Sequence, residues 1–347
     1  MSMVRLTAVL VLGLLAVGAQ AQSSCAANGD VSYVCGPKNP EDLVLVPGTQ
    51  WIVSSGMAEG AGFYLVDSKA GSFSPLTFTA RPDTAFASCA MPPTAQTLNS
   101  HGLNIRAAGA NRARLYVVGH GAREAIEVFD IDATGARPTL TWRGCVPMPD
   151  GLAANSVASF ADGSLVATVL FMPGTTFADA VIERKPTGAV YEWSPGKPGF
   201  ELVRGTELPA NNGIEVSADG REIYVASSGL QTIVAFSHSN PARQLRTTRE
   251  LPFTPDNVHL APDGRLVTAG MASDVPACAA AQDLEAIARC PRPTIAVAID
   301  PATMQDTVIA TTSATPAFSN ATMVLPVGRE AWIGTFSGDR IARAPLR

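Results

Sequence analysis

The chain has 347 residues, 46% of them hydrophobic and 16% charged, with a net charge of −5. That composition excludes general disorder, provides for a large apolar core, and gives no support to a nucleic-acid partner, which demands a basic face. Ordinary solubility accounts for the small negative charge.

At the N-terminus Arg5 precedes an apolar run from Leu6 to Val17, and Ala19-Gln20-Ala21 forms an A-x-A cleavage signature. Residues 1–21 therefore read as a secretory signal peptide, and residues 22–347 as one mature domain, secreted or periplasmic. The run is short for a membrane span, an uncleaved anchor being the minority reading, and no later segment offers a transmembrane helix. Six cysteines suit an oxidising compartment. They can pair in many ways. Cys25 with Cys35 and Cys278 with Cys290 are natural local pairs, which leaves Cys89 with Cys145. No C-x-x-C occurs, so structural bridges are favoured over a metal site.

From Val46 onward one unit recurs, a turn followed by an apolar strand. VPGTQWIVSSG (46–56), RARLYVVGH (112–120) and ADGSLVA (161–167) are the first three. LPANNGIEVSADGREIYVASS (208–228) carries a full hairpin around Asp219-Gly220, and FTPDNVHLAPDGRLVTAG (253–270) repeats it around Asp263-Gly264. VGREAWIG (327–334) is the last. Outer-strand candidates lie between them: FYLVD (63–67), IEVFDI (126–131), AVYEW (189–193), TIVAF (232–236) and TIAVAI (294–299). The units recur about every 40 to 65 residues, near or above the ~40–50 residues of a propeller blade. Six hairpins with matching outer strands predict an all-β, six-bladed β-propeller, with a pair of β-sandwiches as the rival. The one helical pattern, AAAQDLEAIAR (279–289), predicts a short helix in a loop clipped by Cys278 and Cys290.

A propeller gathers the starts of its inner strands around a central channel. The acidic or amide residues preceding the units are Glu41 and Asp42, Asn155, Asn212, and Asp256 with Asn257. An oxygen-only set without cysteine describes a hard cation, calcium in preference to zinc. Asn212 before glycine also has the chemistry of a turn residue, and Glu41-Asp42 on composition alone is an exposed acidic pair. His101 and His120 each precede a glycine near a strand end, so both could face the channel. His259 alternates with Val258 and Leu260 and reads as a satisfied core or surface histidine. His238, in SHSNPAR, reads as a solvated turn residue.

Taken in order, Pro40-Glu41-Asp42, His101-Gly102-Leu103, VVGHGAREAIEVFDI, Asn155, NNGIEVSADGREIYVAS, PDNVHLAPDG and WIGTFSGDRIAR span nearly the whole mature chain. This ordered set resembles the paraoxonase and arylesterase branch of the propeller lactonases, with gluconolactonase and regucalcin as more distant relatives. The resemblance implies a catalytic calcium held by Glu41, Asn155, Asn212, Asp256 and Asn257, and a histidine dyad of His101 and His120. It also implies a second, structural calcium on Asp42 and the Leu103 carbonyl, but Ser156 stands where that family has an aspartate. The animal paraoxonases bridge the two chain ends with a disulfide. No cysteine here lies beyond Cys290, so ring closure falls to strand pairing.

The expected function is a calcium-dependent hydrolase that opens lactones, with some ester hydrolysis. His101, or a carboxylate such as Asp256, would activate the water. The small-molecule substrate would be lipophilic, because the loops Phe171–Phe177 and Cys278–Cys290 are apolar. A serine nucleophile is not indicated, since no G-x-S-x-G elbow occurs. The rivals are a non-catalytic calcium-stabilised propeller serving as a binding module, a sugar lactonase, and a phosphotriesterase.

Overall fold

Short runs in which apolar residues alternate with smaller or polar ones, broken by Asp-Gly and Pro-Gly turns, fold as antiparallel strands. A computed structural model describes residues 25–278, Ala286 and residues 290–347. The expected signal peptide and, apart from Ala286, the expected helix over 279–289 lie outside the described residues.

The strands form six sheets arranged as the blades of a propeller. Blade 1 comprises Leu43–Leu45, Trp51–Ser55, Phe63–Asp67 and Ser72–Pro75. Blade 2 comprises Ser100–Ala107, Arg112–Gly119, Ala125–Asp132 and Thr139–Pro147, with Phe78–Ala80 added in parallel at its edge. Blade 3 runs through Ala154–Ser159, Leu165–Val169, Gly188–Trp193 and Glu201–Leu208. Blade 4 runs through Asn211–Val216, Glu222–Ser227, Thr232–Ser237 and Gln244–Thr247. Blade 5 holds Phe253–Leu260, Leu266–Ala272, Thr294–Ile299 and Asp306–Thr312. Blade 6 holds Ala321–Val327, Glu330–Thr335 and Arg340–Pro345, and is completed by Ser32–Cys35 from the other end of the chain.

The first strand of each blade is innermost, and each touches the first strands of the two neighbouring blades, which closes the ring. The recurring turn-plus-strand units are the second strands, one layer further out than the sequence reading places them. The outer-strand candidates are the third strands. Two of the fourth strands, SFSP and QLRT, are four residues long and contain no buried residue. An edge strand with water on both faces has no alternation to betray it.

Apolar faces of adjacent blades supply the core. Tyr116, Val118, Ile126 and Val128 of blade 2 pack on Val157, Leu165, Ala167 and Trp193 of blade 3. Ala158, Val166 and Val190 of blade 3 pack in turn on Ile214, Ile223 and Val225 of blade 4. Burying one large apolar side chain is worth about 1.5–3 kcal/mol, so each blade is held chiefly by its neighbours. Ring closure is made by strand pairing, with Ser32 opposite Arg343 and Cys35 opposite Arg340. The disulfides join Cys25 to Cys35, Cys89 to Cys145 and Cys278 to Cys290.

His238 is not the solvated turn residue its sequence context predicts. Its ring stacks on Phe160 at 4.0 Å, Nδ1 meets the Gly220 carbonyl, and Nε2 lies 3.0 Å from Glu192. These partners come from blade 3 and the hairpin turn of blade 4, so the ring clamps two blades together.

Candidate active site in the central channel

Five of the six innermost strands lose their register with the second strand near the channel end. The irregularities fall between Ser100 and Leu103, Ala154 and Val157, Asn211 and Ile214, Pro255 and Val258, and Ala321 and Met323. The residues inside them are His101-Gly102, Asn155-Ser156, Asn212-Gly213, Asp256-Asn257 and Thr322. A bulge frees residues from the ladder and re-aims their side chains. Asn155, Asn212, Asp256 and Asn257 of the expected ligand set therefore stand within the inner strands, at bulges, and not ahead of them. Glu41 and Asp42 alone precede their strand.

Glycines let these bulges approach. A Cβ on Gly213 would lie 2.4 Å from the Asp256 carbonyl oxygen and 2.7 Å from Asn257 Cα. One on Gly102 would lie 2.7 Å from both the Asn155 carbonyl and Ser156 Cα, and one on Gly334 would lie 2.6 Å from the Pro40 carbonyl. Side-chain hydroxyls stitch the same seams. Ser228 Oγ donates to the Pro255 carbonyl and accepts from Asn212 Nδ2, and Thr322 Oγ1 donates to the Glu41 carbonyl.

These contacts bring Glu41, His101, Asn155, Asn212 and Asp256 around one cavity of ≈ 520 Å³. Asn257 is buried beside it and donates its amide to Glu41 Oε1 at 2.5 Å. Four buried oxygens of this group, Glu41 Oε2, Asn155 Oδ1, Asn212 Oδ1 and Asn257 Oδ1, have no hydrogen-bond donor. An unsatisfied buried polar group costs about 1–3 kcal/mol. Burial, then the Asp256 and Asp42 charges, hold the Glu41 carboxyl well above its ordinary range. Burial also raises Asp256, opposed by the Asn212 amide and reinforced by Asp42. Orphaned acceptors around two mutually repelling carboxylates call for positive charge, and an all-oxygen set of carboxylates and carboxamides fits a hard cation.

Asp42 does not present a free carboxylate for a second ion. Its Oδ2 accepts from the Leu103 N–H at 2.7 Å, and its Oδ1 accepts from the Leu43 N–H and lies 2.8 Å from His259 Nε2. The other His259 nitrogen lies 3.7 Å from Glu215. Burial alone would lower the His259 pKa, but Asp42 and Glu215 together raise it to about 10. An imidazolium between two buried carboxylates therefore supplies the local positive charge. Ser156, in place of a third carboxylate, uses its N–H on Thr168 Oγ1. The Asp42–Leu103 arrangement does not fit a second cation.

His101 and His120 meet directly, Nδ1 to Nε2 at 2.9 Å. The opposite His101 nitrogen, Nε2, faces Glu41 Oε1 at 3.8 Å. His120 Nδ1 lies 2.7 Å from Glu124 Oε2 at the channel rim. A row of groups thus runs from Glu41 through both imidazoles to a half-exposed carboxylate. Burial and then the neighbouring His120 hold the His101 pKa well below its ordinary value, which favours the neutral ring.

The cavity walls are largely apolar: Met57, Leu170, Phe171, Phe177, Val181, Met271 and Phe336. Phe171 and Phe177 belong to the loop singled out in the sequence, and Val181 to the short helix Phe177–Val181 that follows it. Glu124, Arg292, Met57, Met271 and Phe336 carry no signal in the repeat pattern. Only Glu124 was within reach of a sequence argument, four residues after His120 and close enough to pair with it.

A family model described as the SMP-30/gluconolactonase/LRE-like region matches residues 57–279. No curated protein matches the chain significantly. Among solved structures, a gluconolactonase from Xanthomonas campestris superposes with a TM-score of 0.54 at 16% identity, covering 93% of this chain and 92% of its own. A luciferin-regenerating enzyme gives 0.54 at 12% identity, covering 90% and 94%. Regucalcin, a calcium-binding protein from Agrobacterium tumefaciens, gives 0.50 at 11% identity, covering 89% and 91%.

Proposed function

The chain belongs to the SMP-30/gluconolactonase/LRE-like family, and from that premise we propose that it is a calcium-dependent lactonase that also hydrolyses some esters. The observation that carries this reading is the set of four donor-less buried oxygens around one channel cavity. Glu41, Asn155, Asn212, Asp256 and Asn257 would hold the ion. When bound, calcium supplies a Lewis-acidic contact for the substrate carbonyl and for the negative charge that develops on its oxygen. Glu41 and Asp256 bring two charges that balance a divalent cation, and the amide nitrogen of Asn257 fixes the Glu41 carboxylate in place.

His101 is assigned the base. Its Nε2 faces the cavity beside Glu41 and takes a proton from the attacking water, while Nδ1 passes positive charge toward His120. His120 shares it with Glu124. A neutral imidazole suits this work near neutral pH. Asp256 is the second candidate for the base, because its carboxylate lines the same cavity.

The apolar walls support a lipophilic lactone or aryl ester over a sugar lactone, since a polyol would leave its hydroxyls facing Phe171, Phe177 and Phe336. Export is supported by the three disulfides and by the sequence of residues 1–21. No helix among the described residues is long and apolar enough to cross a membrane.

The test is hydrolysis of a panel from gluconolactone to long-chain γ- and δ-lactones, aryl esters and a phosphotriester, with calcium, after chelation and after calcium is restored. Calcium-reversible opening of the long-chain lactones is expected. His101→Gln should lower kcat by about 100-fold or more, the range of a positioned base. Near-normal kcat in that variant moves the base to Asp256. A folded, calcium-loaded protein that opens nothing on the panel is a binding propeller.

A further inference from the structure

Arg292 enters the wall of the channel cavity from blade 5, where every other wall contact beyond the ion-binding group and His101 is apolar or weakly polar. Its Nε is buried without an acceptor, and among the described residues no carboxylate lies within ion-pair distance of its guanidinium. Burial with no compensating charge lowers its pKa from the ordinary value. A buried guanidinium N–H left without a partner is costly, and the half-buried side chain keeps its terminal nitrogens accessible.

The backbone around it is fixed. Arg292 stands between Pro291 and Pro293, two residues beyond the Cys278–Cys290 bridge. Its N–H donates to Asn320 Oδ1 at 3.0 Å and its carbonyl accepts from the Asn320 N–H at 3.3 Å. The Pro293 carbonyl accepts from Ala272 N–H at 2.9 Å. Two prolines, a disulfide and these hydrogen bonds hold one cationic donor against an apolar cavity. Such preorganisation lowers the ordering cost of binding.

A planar guanidinium in an apolar wall recognises an oxyanion, to which it offers paired N–H donors. We propose that Arg292 receives an anionic group of the substrate, so that the preferred lactone joins an apolar body to a carboxylate or phosphate-like substituent remote from the ring. This rests on the lactonase reading for the ring itself, but the arginine's role can be measured without catalysis.

The experiment uses the full-length, calcium-loaded protein and a ligand that cannot be opened, a tetrahydrofuran bearing a five-carbon ω-carboxylate chain. Calorimetry compares it with its primary amide and with the matching phosphonate. The carboxylate is expected to bind about 10- to 100-fold more tightly than the amide, the range of a charge-assisted pair. A tighter phosphonate assigns the anion to the phosphate class. Arg292→Met should erase the preference for an anion, and Arg292→Lys should restore part of it. Without ligand, Arg292→Met should melt at or a few degrees above the wild-type temperature, because it removes an unsatisfied donor. A structural arginine would lower the melting point in the same variant. Equal affinity for amide and both anions, no binding at millimolar ligand, or an anion preference that survives Arg292→Met overturns the proposal. With lactones, the variant should raise KM for the ω-carboxylate substrate about 10-fold or more relative to that for its methyl ester. If the binding preference is found but no lactone is opened, the lactonase reading falls and the arginine assignment stands.

Discussion

Replacing Gly213 with alanine should dismantle the ion site while adding only one methyl group. The new Cβ would sit 2.4 Å from the Asp256 carbonyl oxygen, 2.5 Å from the Val258 nitrogen and 2.7 Å from Asn257 Cα. The closest approach is about 1 Å short of the 3.4 Å at which ordinary contact begins. All three neighbours are backbone, so no side chain can swing aside, and blades 4 and 5 have to part. Overpacking of this kind costs about 1–3 kcal/mol. The larger effect falls on the ion. Asn212 lies on one side of the seam and Asp256 and Asn257 on the other, whereas calcium–oxygen distances span only about 2.3–2.6 Å. A separation near 1 Å removes the ligands of one blade, and calcium affinity should fall by about 100-fold or more.

The assay is calorimetric calcium titration of chelated full-length protein, with thermal melts at zero and saturating calcium. Wild type should gain about 4 kcal/mol at calcium a thousandfold above Kd, and the variant should lose most of that gain. Gly102→Ala, crowding the Asn155 carbonyl at 2.7 Å, should behave the same way. Gly199→Ala, where a Cβ meets nothing within 4 Å, is the control and should be silent. A Gly213→Ala protein that binds calcium within threefold of wild type would refute the argument that close blade contact assembles the ligands.

Two other perturbations probe the groups that sequence reading undervalued. Glu124→Gln keeps the hydrogen bond to His120 but removes its charge, so lactone kcat should drop about three- to tenfold with KM unchanged. A change confined to KM would place Glu124 in substrate binding and outside the histidine row. His259→Gln strips the imidazolium from between Asp42 and Glu215, and urea unfolding at saturating calcium should show a loss of about 3–5 kcal/mol. Adding Asp42→Asn should recover a large part of it, and metal analysis of the wild type should find one calcium per chain. Two ions per chain, or an unchanged unfolding midpoint in His259→Gln, would remove the case for histidine as the resident cation.

The architecture was legible because second and third strands carry the strongest pattern. WIVSS, ARLYVV, LVATV and IYVAS are largely apolar and mostly buried on both faces, since each is sandwiched between blades, and their turns recur. The shortest fourth strands were illegible for the opposite reason. SFSP and QLRT pair on one side only and bury little, so nothing in their residues separates them from loop. His238 was misread on similar grounds. Its neighbours Ser237, Ser239 and Asn240 describe a turn, and the Phe160 ring it covers is 78 positions away in sequence.

The site was legible residue by residue but not as a geometry. Paired amides before glycine, histidine before glycine and Asp-Asn after proline all fall at residues that line or adjoin one cavity, yet sequence placed them ahead of the inner strands. Register with the second strand breaks at the same height in five blades, and a break in register has no composition of its own. Its partial trace is the glycine. Gly102 and Gly213 follow a site residue and Gly334 lies against the backbone of another, and none of the three has positive φ. Glycine is needed there for the space that a methyl group would take from the next blade, not for conformational freedom. A glycine inside an apolar strand, directly after a polar residue, is therefore the sequence mark of a seam between blades, and the residue before it is the one that seam delivers to the channel.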